Sequence, residues 1–269
     1  MNLIVIFNYN YSDYLGKLID TIGKNELKRF KVILCDDGSD DASLLLFNEI
    51  KTVYTDMNLE LVKVRGFNSG ARDIKSHGQI SALNKVFDIY GNCITDSSLV
   101  CLVDADDYYP DGYFSQLESC HRKENFDVYL SKINNVNQSA KSIGYKNIVR
   151  PIGSTLNIWP TVTCTSGIAV TKRFIERNRE AIFNFEKKFA DVWLDARICM
   201  LANYNSKVLY SEQEFYRLIH GANDSMSTNF VRKLDKQIQS ALFYSKYSKF
   251  KGVRVILLVL LSKLIWLKY

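Results

Sequence analysis

The chain holds three prolines in 269 residues, too few to furnish an extended linker or a disordered tract. Its six cysteines (Cys35, Cys93, Cys101, Cys120, Cys164, Cys199) form no CxxC pair and follow no regular spacing. That argues against a zinc site or a disulfide framework. Several of them lie inside apolar runs, where a free thiol packs as a small hydrophobe, as expected in a reducing compartment. No apolar run approaches the ~20 residues that a membrane-spanning helix needs. Leu3–Ile4–Val5–Ile6–Phe7 follows Met1–Asn2 without a basic n-region or a small-residue cleavage site, so it reads as a first strand of a cytoplasmic protein. There is no internal repeat and no low-complexity tract.

Net positive charge is also missing from most of the chain. The net charge is +6, but residues 226–269 carry nine basic side chains against the single acid Asp235, or +8. Residues 1–225 therefore sum to −2. Such a body lacks the basic face of a nucleic-acid binder, and an anionic partner would be met by the C-terminal segment. With 47% hydrophobic and 24% charged residues, the rest has the composition of a soluble globular domain.

Apolar periodicity divides the first 110 residues into alternating strands and helices. Leu3–Phe7 leads into the polar turn Asn8–Tyr9–Asn10–Tyr11–Ser12, and Leu15, Leu18, Ile19 and Ile22 then recur at helical spacing, with Ser12 as the expected N-cap. Lys31–Cys35 is a second strand, ending in Asp36–Asp37–Gly38–Ser39–Asp40–Asp41, and Leu44, Leu45, Phe47 and Ile50 mark the next helix. Leu59–Val64 is a third strand, Gly66–Gly70 a loop, and Gly78–Asn84 opens a helix reaching about Tyr90. Alternation on this scale predicts an α/β fold with a mostly parallel sheet covered on both faces, whose ligands bind beyond the carboxyl ends of the strands. Farther on, Phe126–Leu130 reads as a strand, Asn134–Lys146 as a polar excursion, and Thr163–Val170 as a loop entering a short strand. Ile175–Phe185 and Val192–Leu201 read as helices, and Val208–Tyr210 and Glu214–Leu218 as late strands.

One strand ends unlike the others. Leu99–Val100–Cys101–Leu102–Val103 is followed by Asp104–Ala105–Asp106–Asp107, three carboxylates within four positions. Like charges so close repel unless a cation lies between them. A divalent ion bridging to a phosphate fits that need, whereas an ordinary acidic turn would have to be open to water. The polar turn after the first strand, both acidic clusters and the loop at residue 66 all fall on the same expected sheet edge.

The order of these motifs resembles the family 2 glycosyltransferases with the GT-A fold. Asp36–Asp41 is similar to that family's DDGSxD turn, Gly78–Gln79–Ile80–Ser81–Ala82–Leu83–Asn84 to its GQxxALN helix start, and Asp104–Ala105–Asp106–Asp107 to its DxD signature. Ala190–Asp191 stands where the family carries (E/A)D, and Tyr216–Ser225 resembles its YRxHGxNxS segment. The resemblance covers about residues 3–225 and implies an inverting transfer from a nucleoside-diphosphate sugar, with Mn²⁺ or Mg²⁺ as cofactor. It implies that Asn8, Asn10, Asp36, Asp37, Gln79, Asp104 and Arg217 face the donor, with Tyr9 near the base. Asp106 and His220 would hold the cation, although His220 could instead touch the diphosphate, and Asp107 is either a further ligand or a helix cap. Arg217 pairs with phosphate or braces an acid. Asp191 is the expected base for the acceptor hydroxyl, with Asp195, one helical turn on, as the competing choice. Thr165, Ser166 and Gly167 either adjoin the acceptor, a glycan or a lipid-linked sugar, or form a simple turn.

Residues 1–225 thus read as the catalytic domain and 226–269 as a helical tail. Within the tail, Val255–Leu261 is apolar and is flanked by Arg254, Lys263 and Lys268, with Trp266 and Tyr269 suited to an interfacial depth. This is the pattern of a helix lying on an anionic membrane surface, the alternative being a helix docked on the protein itself. A sugar-1-phosphate nucleotidyltransferase would need a glycine-rich basic loop after the first strand, which Asn8–Tyr11 does not offer. An inactive assembly subunit would not need Asp104, Asp106 and Asp191 together.

Overall fold

The computed structural model describes residues 1–25, 27–65, 77–146, 163–220, 230–247 and 253–266. The expected loop at Gly66–Gly70, and Asn223 of the last motif, lie outside the described residues. Eight strands form one sheet: β1 (Asn2–Asn8), β2 (Phe30–Asp36), β3 (Leu59–Lys63), β4 (Leu99–Asp104), β5 (Val128–Val136), β6 (Ser142–Lys146), β7 (Ile168–Thr171) and β8 (Val208–Leu218). The order is β3-β2-β1-β4-β7-β5-β6, with β8 added to β5. Helices α1 (Ser12–Gly23), α2 (Ser43–Val53), α3 (His77–Tyr90) and α4 (Tyr113–Glu124) connect the first strands. Then come α5 (Lys172–Arg177), α6 (Arg179–Ile182), α7 (Leu194–Asn205), α8 (Phe230–Tyr247) and α9 (Val253–Trp266).

The sheet separates two apolar layers. On one face Leu3, Val5, Val100 and Leu102 pack with Ile80, Leu83 and Val86 of α3. On the other, Ile4, Ile6, Val32 and Val103 pack with Leu15, Leu18 and Ile22 of α1. Alternate residues of β1 and β4 thus serve opposite faces, and both faces are covered. That is why these strands read as unbroken apolar runs in the sequence.

Strand direction decides which residues meet. β1 pairs in parallel with β2 and β4, and β2 with β3. β7 runs antiparallel to both β4 and β5, and β8 runs parallel to β5. Two reversals restore the original direction, so β5 and β8 end on the same edge as β1, β2 and β4. The reversed strand β7 brings its entry, the 3-10 turn Thr165–Gly167, to that edge as well.

Several local expectations change. Asn134–Lys146 is not an excursion but the end of β5 and its hairpin partner β6. The polar residues there pair laterally: Ser142 Oγ donates to Asn134 Oδ1 at 2.8 Å, and Asn134 Nδ2 to Glu214 Oε2 at 3.2 Å. The two late strands are one, with a register irregularity between Leu130 and Lys132 of the partner. Residues 175–185 are broken at Asn178, which ends α5 and whose carbonyl starts α6. Ser12 is the first residue of α1 and not its side-chain cap. Its N–H is satisfied by Asp41 Oδ2 at 2.9 Å, while Asp41 Oδ1 takes the N–H of Ser43 at 2.9 Å. One carboxylate therefore serves the starts of two helices.

The C-terminal helices pack on the body. Ala241, Phe243 and Tyr244 of α8 and Val255 of α9 are buried in the same layer as Phe189, Val192 and Ile198. Phe243 meets Phe189 edge-on with centroids 5.6 Å apart. Lys246 pairs with Glu186 at 2.8 Å. α9 nevertheless turns Ile256, Leu257 and Leu260 outward, at 47%, 60% and 51% exposure. Among the described residues no helix is long and apolar enough to cross a membrane.

Beneath this layer lies Arg197 of α7, with no exposure. Its guanidinium donates to the carbonyls of Val192 (2.7 Å), Ile182 (2.9 Å), Asn184 (2.6 Å) and Phe189 (3.0 Å). Burial lowers its pKa to about 10, so it remains charged at neutral pH. The segment 182–193 contains little regular structure, and Arg197 satisfies carbonyls that would otherwise be buried without donors. Arg197→Met should destabilise the protein by about 3–5 kcal/mol in urea unfolding, because it strands several acceptors at once. Arg197→Lys should recover only part of that loss, since an ammonium cannot reproduce the planar fork of donors.

Candidate active site

The carboxyl edge of the sheet carries two acidic centres. The first is the turn after β2. Asp36 is buried, and its oxygens are fully used: Oδ1 accepts from Asn8 Nδ2 (2.9 Å) and Ser39 Oγ (2.5 Å), and Oδ2 from the N–H groups of Gly38 (3.2 Å) and Ser39 (3.1 Å). Gly38 takes φ +77°, where a side chain would be strained. Asp36 and Asn8 therefore build the turn. Asn10 does the same on the outer side, donating to Asp40 Oδ1 at 2.6 Å and accepting the Asp40 N–H at 3.0 Å. Asp37, the next carboxylate, is also buried. Arg65, just past β3, grips it with two hydrogen bonds of 2.7 and 2.8 Å.

The second centre is the end of β4. Asp104 accepts from Gln79 Nε2 at 2.6 Å, and its own N–H donates to Ser166 Oγ at 2.9 Å. Asp106 lies 2.8 Å from His220 Nε2, the pair buried beyond the end of β8. The His220 ring stacks on Tyr14 with centroids 4.9 Å apart, which fixes its plane. Asp107 is buried and accepts the Leu218 N–H at 3.2 Å, while Tyr108 and Tyr216 exchange backbone hydrogen bonds of 3.0 and 2.9 Å. α4 begins only at Tyr113, so Asp107 is not its cap; it fastens the acidic turn to β8.

Crowding sets the electrostatics. Burial, followed by repulsion from Asp106 and Asp195, pushes Asp104 up to about 8. Burial, followed by Asp106 and Asp104, holds Asp107 well above the ordinary carboxylate range. Arg217 of β8 is half-buried here: burial opposes its charge, but Cys164, Asp107, Asp104 and Asp106 outweigh that and raise its pKa. Burial and mutual repulsion thus favour the protonated forms of Asp104 and Asp107 in the ligand-free protein, and a ligand that brings positive charge would favour their ionised forms.

Ser166 and Gly167 lie beneath the carboxylates and not on an open face. The Ser166 hydroxyl is engaged by Asp104, and its carbonyl accepts from Tyr109 Oη at 2.9 Å. A Cβ on Gly167 would come within 2.0 Å of Thr163 Oγ1 and 2.7 Å of Phe215 Cε1, so the glycine is required by packing. Both belong to the 3-10 turn that enters β7, beneath Asp104.

Asp191 lies in the turn before α7 and is partly exposed. Its N–H donates to Gln239 Oε1 at 2.7 Å, and Gln239 Nε2 donates to its Oδ2 at 3.3 Å. Asp195 begins the first turn of α7, where its Oδ1 accepts the Ala196 N–H at 2.7 Å, and its charge reaches Asp104. Among the described residues no set of three or more His, Cys, Asp or Glu side chains is arranged to hold an ion by itself. Asp106 and His220 supply one oxygen and one nitrogen donor. That number suits a cation completed by substrate phosphates and water, which asks for only one or two protein ligands.

Arg65, Arg197 and Gln239 were not singled out from sequence. Arg65 alone had a readable signal, a cation just past the edge end of the third strand. Arg197 lies in an apolar helix and Gln239 is 48 positions from its partner, so only the folded chain joins them.

Comparisons with known proteins bear on the family and the fold. The model of the family described as glycosyl transferase family 2 matches residues 3–180. An uncharacterized glycosyltransferase of Nostoc sp. is 22% identical over 235 residues, 83% of this chain and 66% of the relative. The chain thus spans just under two thirds of the length of that relative. The S. aureus TarS structure (residues 1–349) in complex with UDP-GlcNAc superposes with a TM-score of 0.66 at 17% identity, covering 96% of this chain and 70% of that one. The mannosyltransferase PcManGT from Pyrobaculum calidifontis, in complex with GDP-Man and Mn²⁺, gives 0.58 at 14% identity, covering 94% and 66%. At those identities the structures speak for the fold, which is of the GT-A type. The family match covers well over half of the chain, including Asp36–Asp41 and Asp104–Asp107, and so the chain belongs to glycosyl transferase family 2.

Proposed function

We propose that this protein transfers a sugar, with inversion, from a nucleoside-diphosphate sugar to a hydroxyl of a glycan or lipid-linked acceptor in cell-surface polysaccharide synthesis. The observation that carries the reading is the meeting of Asp37, Asp104, Asp106, Arg217 and His220 on one sheet edge. Asp37, oriented by Arg65, accepts hydrogen bonds from the base or ribose. Asp104, braced by Gln79, faces the ribose side of the diphosphate, and Arg217 offers positive charge to the phosphates. Asp106 and His220 would hold Mn²⁺ or Mg²⁺, which neutralises charge on the departing diphosphate. Asp191 takes the proton of the acceptor hydroxyl on the face opposite the leaving group. Release of UDP or GDP from a panel containing UDP-GlcNAc and GDP-mannose, with and without Mn²⁺, tests this. Turnover of at least one donor is expected, and a panel that is neither bound nor hydrolysed would sink the reading.

The C-terminal segment 226–269 is proposed to hold the enzyme peripherally at the cytoplasmic face of the membrane. Exposed Ile256, Leu257 and Leu260 on α9 form an apolar strip within a segment of +8 charge. Burial of that strip in the interface, aided by anionic headgroups, gives reversible attachment. The full chain should float with vesicles containing phosphatidylglycerol. Leu257→Glu with Leu260→Glu should leave it at the bottom of the gradient, and equal flotation of both forms would refute the attachment.

A further inference from the structure

α8 lies beyond the part of the chain matched by the family model, which ends at residue 180. Yet it places Gln239 against Asp191 in a two-point clasp: the backbone N–H of Asp191 donates to Oε1, and Nε2 donates to Oδ2. Arg197 holds the carbonyls of Phe189 and Val192, on either side of Asp191. Asp191 itself follows the 3-10 turn Lys187–Phe189 and precedes α7, in neither a helix nor a strand. A loop carboxylate of that kind has rotational freedom unless something outside the loop fixes both its backbone and its side chain. α8 itself is well fixed. Phe243 is buried against Phe189, Tyr247 Oη accepts from Asn184 Nδ2 at 2.6 Å, and Lys246 pairs with Glu186. Those anchors all lie within the segment that leads into Asp191.

We propose that Gln239 is a positioning residue for the catalytic base, so that α8 belongs to the catalytic machinery and does not merely tether it. The inference rests on the assignment of Asp191 as base. The amide N–H directed at Oδ2 favours the ionised carboxylate and leaves Oδ1 as the oxygen that meets the acceptor hydroxyl or, in hydrolysis, a water molecule. Gln239 acts through Asp191, so its effect falls on turnover and not on donor binding.

The test compares Gln239→Ala, Asp191→Asn and Gln239→Ala/Asp191→Asn in the full chain, reading hydrolysis of whichever of UDP-GlcNAc and GDP-mannose the wild type turns over. Lys246→Ala serves as a control that removes one exposed α8 ion pair, two helical turns from Gln239, of a kind that contributes little to stability. Gln239→Ala should lower kcat about 10- to 100-fold, the penalty of a misplaced reacting group, with donor KM unchanged within about twofold. Lys246→Ala should retain wild-type kcat. In the Asp191→Asn background the added Gln239→Ala should change kcat by less than about twofold, because the base it positions is gone. Wild-type kcat in Gln239→Ala with Asp191→Asn inactive would overturn the role of Gln239 alone. An equal additional loss in the Asp191→Asn background, or a parallel loss in Lys246→Ala, would show that α8 acts only through folding and would overturn it too. Full activity in Asp191→Asn would remove the base assignment and the inference with it. Absence of wild-type hydrolysis would overturn the proposed function on which both rest.

Discussion

Asp106→Asn should lower turnover by about 10³-fold or more while making the ligand-free protein more resistant to heat at pH 8. The loss of rate follows from the place of Asp106 beside His220, where one carboxylate oxygen is offered to the cation that stabilises the leaving diphosphate, an effect worth several kcal/mol. The gain in stability follows from the repulsion it exerts. Asp106 is among the groups that raise both Asp104 and Asp107. In the folded, ligand-free protein Asp104 titrates near 8, whereas in the unfolded chain it titrates near ~3.9. Between those values the unfolded chain has lost a proton that the folded protein keeps, so stability falls as pH rises from about 4 to about 8. Removing the charge of Asp106 relieves part of that penalty, and the amide can still hydrogen-bond His220. Thermal unfolding at pH 6 and pH 8 measures it: the midpoint of Asp106→Asn should exceed that of wild type by a few degrees at pH 8 and by less at pH 6. The same sign applies to the cation, so Mn²⁺ should raise the wild-type midpoint more at pH 8 than at pH 6, and the variant's hardly at all. A variant that is both less active and less stable at pH 8 would mean that Asp106 is there for packing.

Asp191→Asn should reduce transfer and hydrolysis about 10²- to 10⁴-fold, the range of a lost general base, while leaving donor affinity unchanged. The substitution preserves the backbone bond to Gln239 Oε1 and the volume of the side chain, so folding is not at issue. What disappears is the ability to take a proton from an incoming hydroxyl. Asp195 provides the discriminating comparison. It sits in the first turn of α7, and its charge bears on Asp104. If it were the base, Asp195→Asn would show the large loss and Asp191→Asn the small one. With Asp191 as base, Asp195→Asn should cost less than about tenfold, through its altered field at Asp104 alone. Donor binding measured by calorimetry with UDP-GlcNAc or GDP-mannose separates a loss of chemistry from a loss of binding.

These expectations draw on two kinds of information. The runs Leu3–Phe7, Lys31–Cys35 and Leu99–Val103 were recognisable as strands because burial on both faces leaves no polar positions in them. The acidic turns after them, the Gln79 helix start and the Tyr216–His220 segment were legible for a related reason: the chain order of strand and helix places every strand end on one edge. Local pattern and short-range chemistry suffice for that, and with them for the fold and the family.

Tertiary structure decided the division of labour. Sequence could not tell Asp36 from Asp37, because which carboxylate builds the turn depends on Asn8 and Ser39 arriving from elsewhere. It could not show that Ser166 supports Asp104 from below, since that follows from the reversed direction of β7, set by pairings across the sheet. The hairpin β5–β6 was hidden because its polar residues are satisfied laterally by Ser142 and Glu214, partners invisible to a period-two pattern. Arg197 and Gln239 were hidden for the same reason. A buried polar side chain is explained by the groups it satisfies, and here those groups are carbonyls of an irregular loop and a carboxylate 48 residues away. Residue order fixes which chemistry is present on the edge; only the packing of β7, β8 and α8 fixes which atoms of it remain open to a ligand.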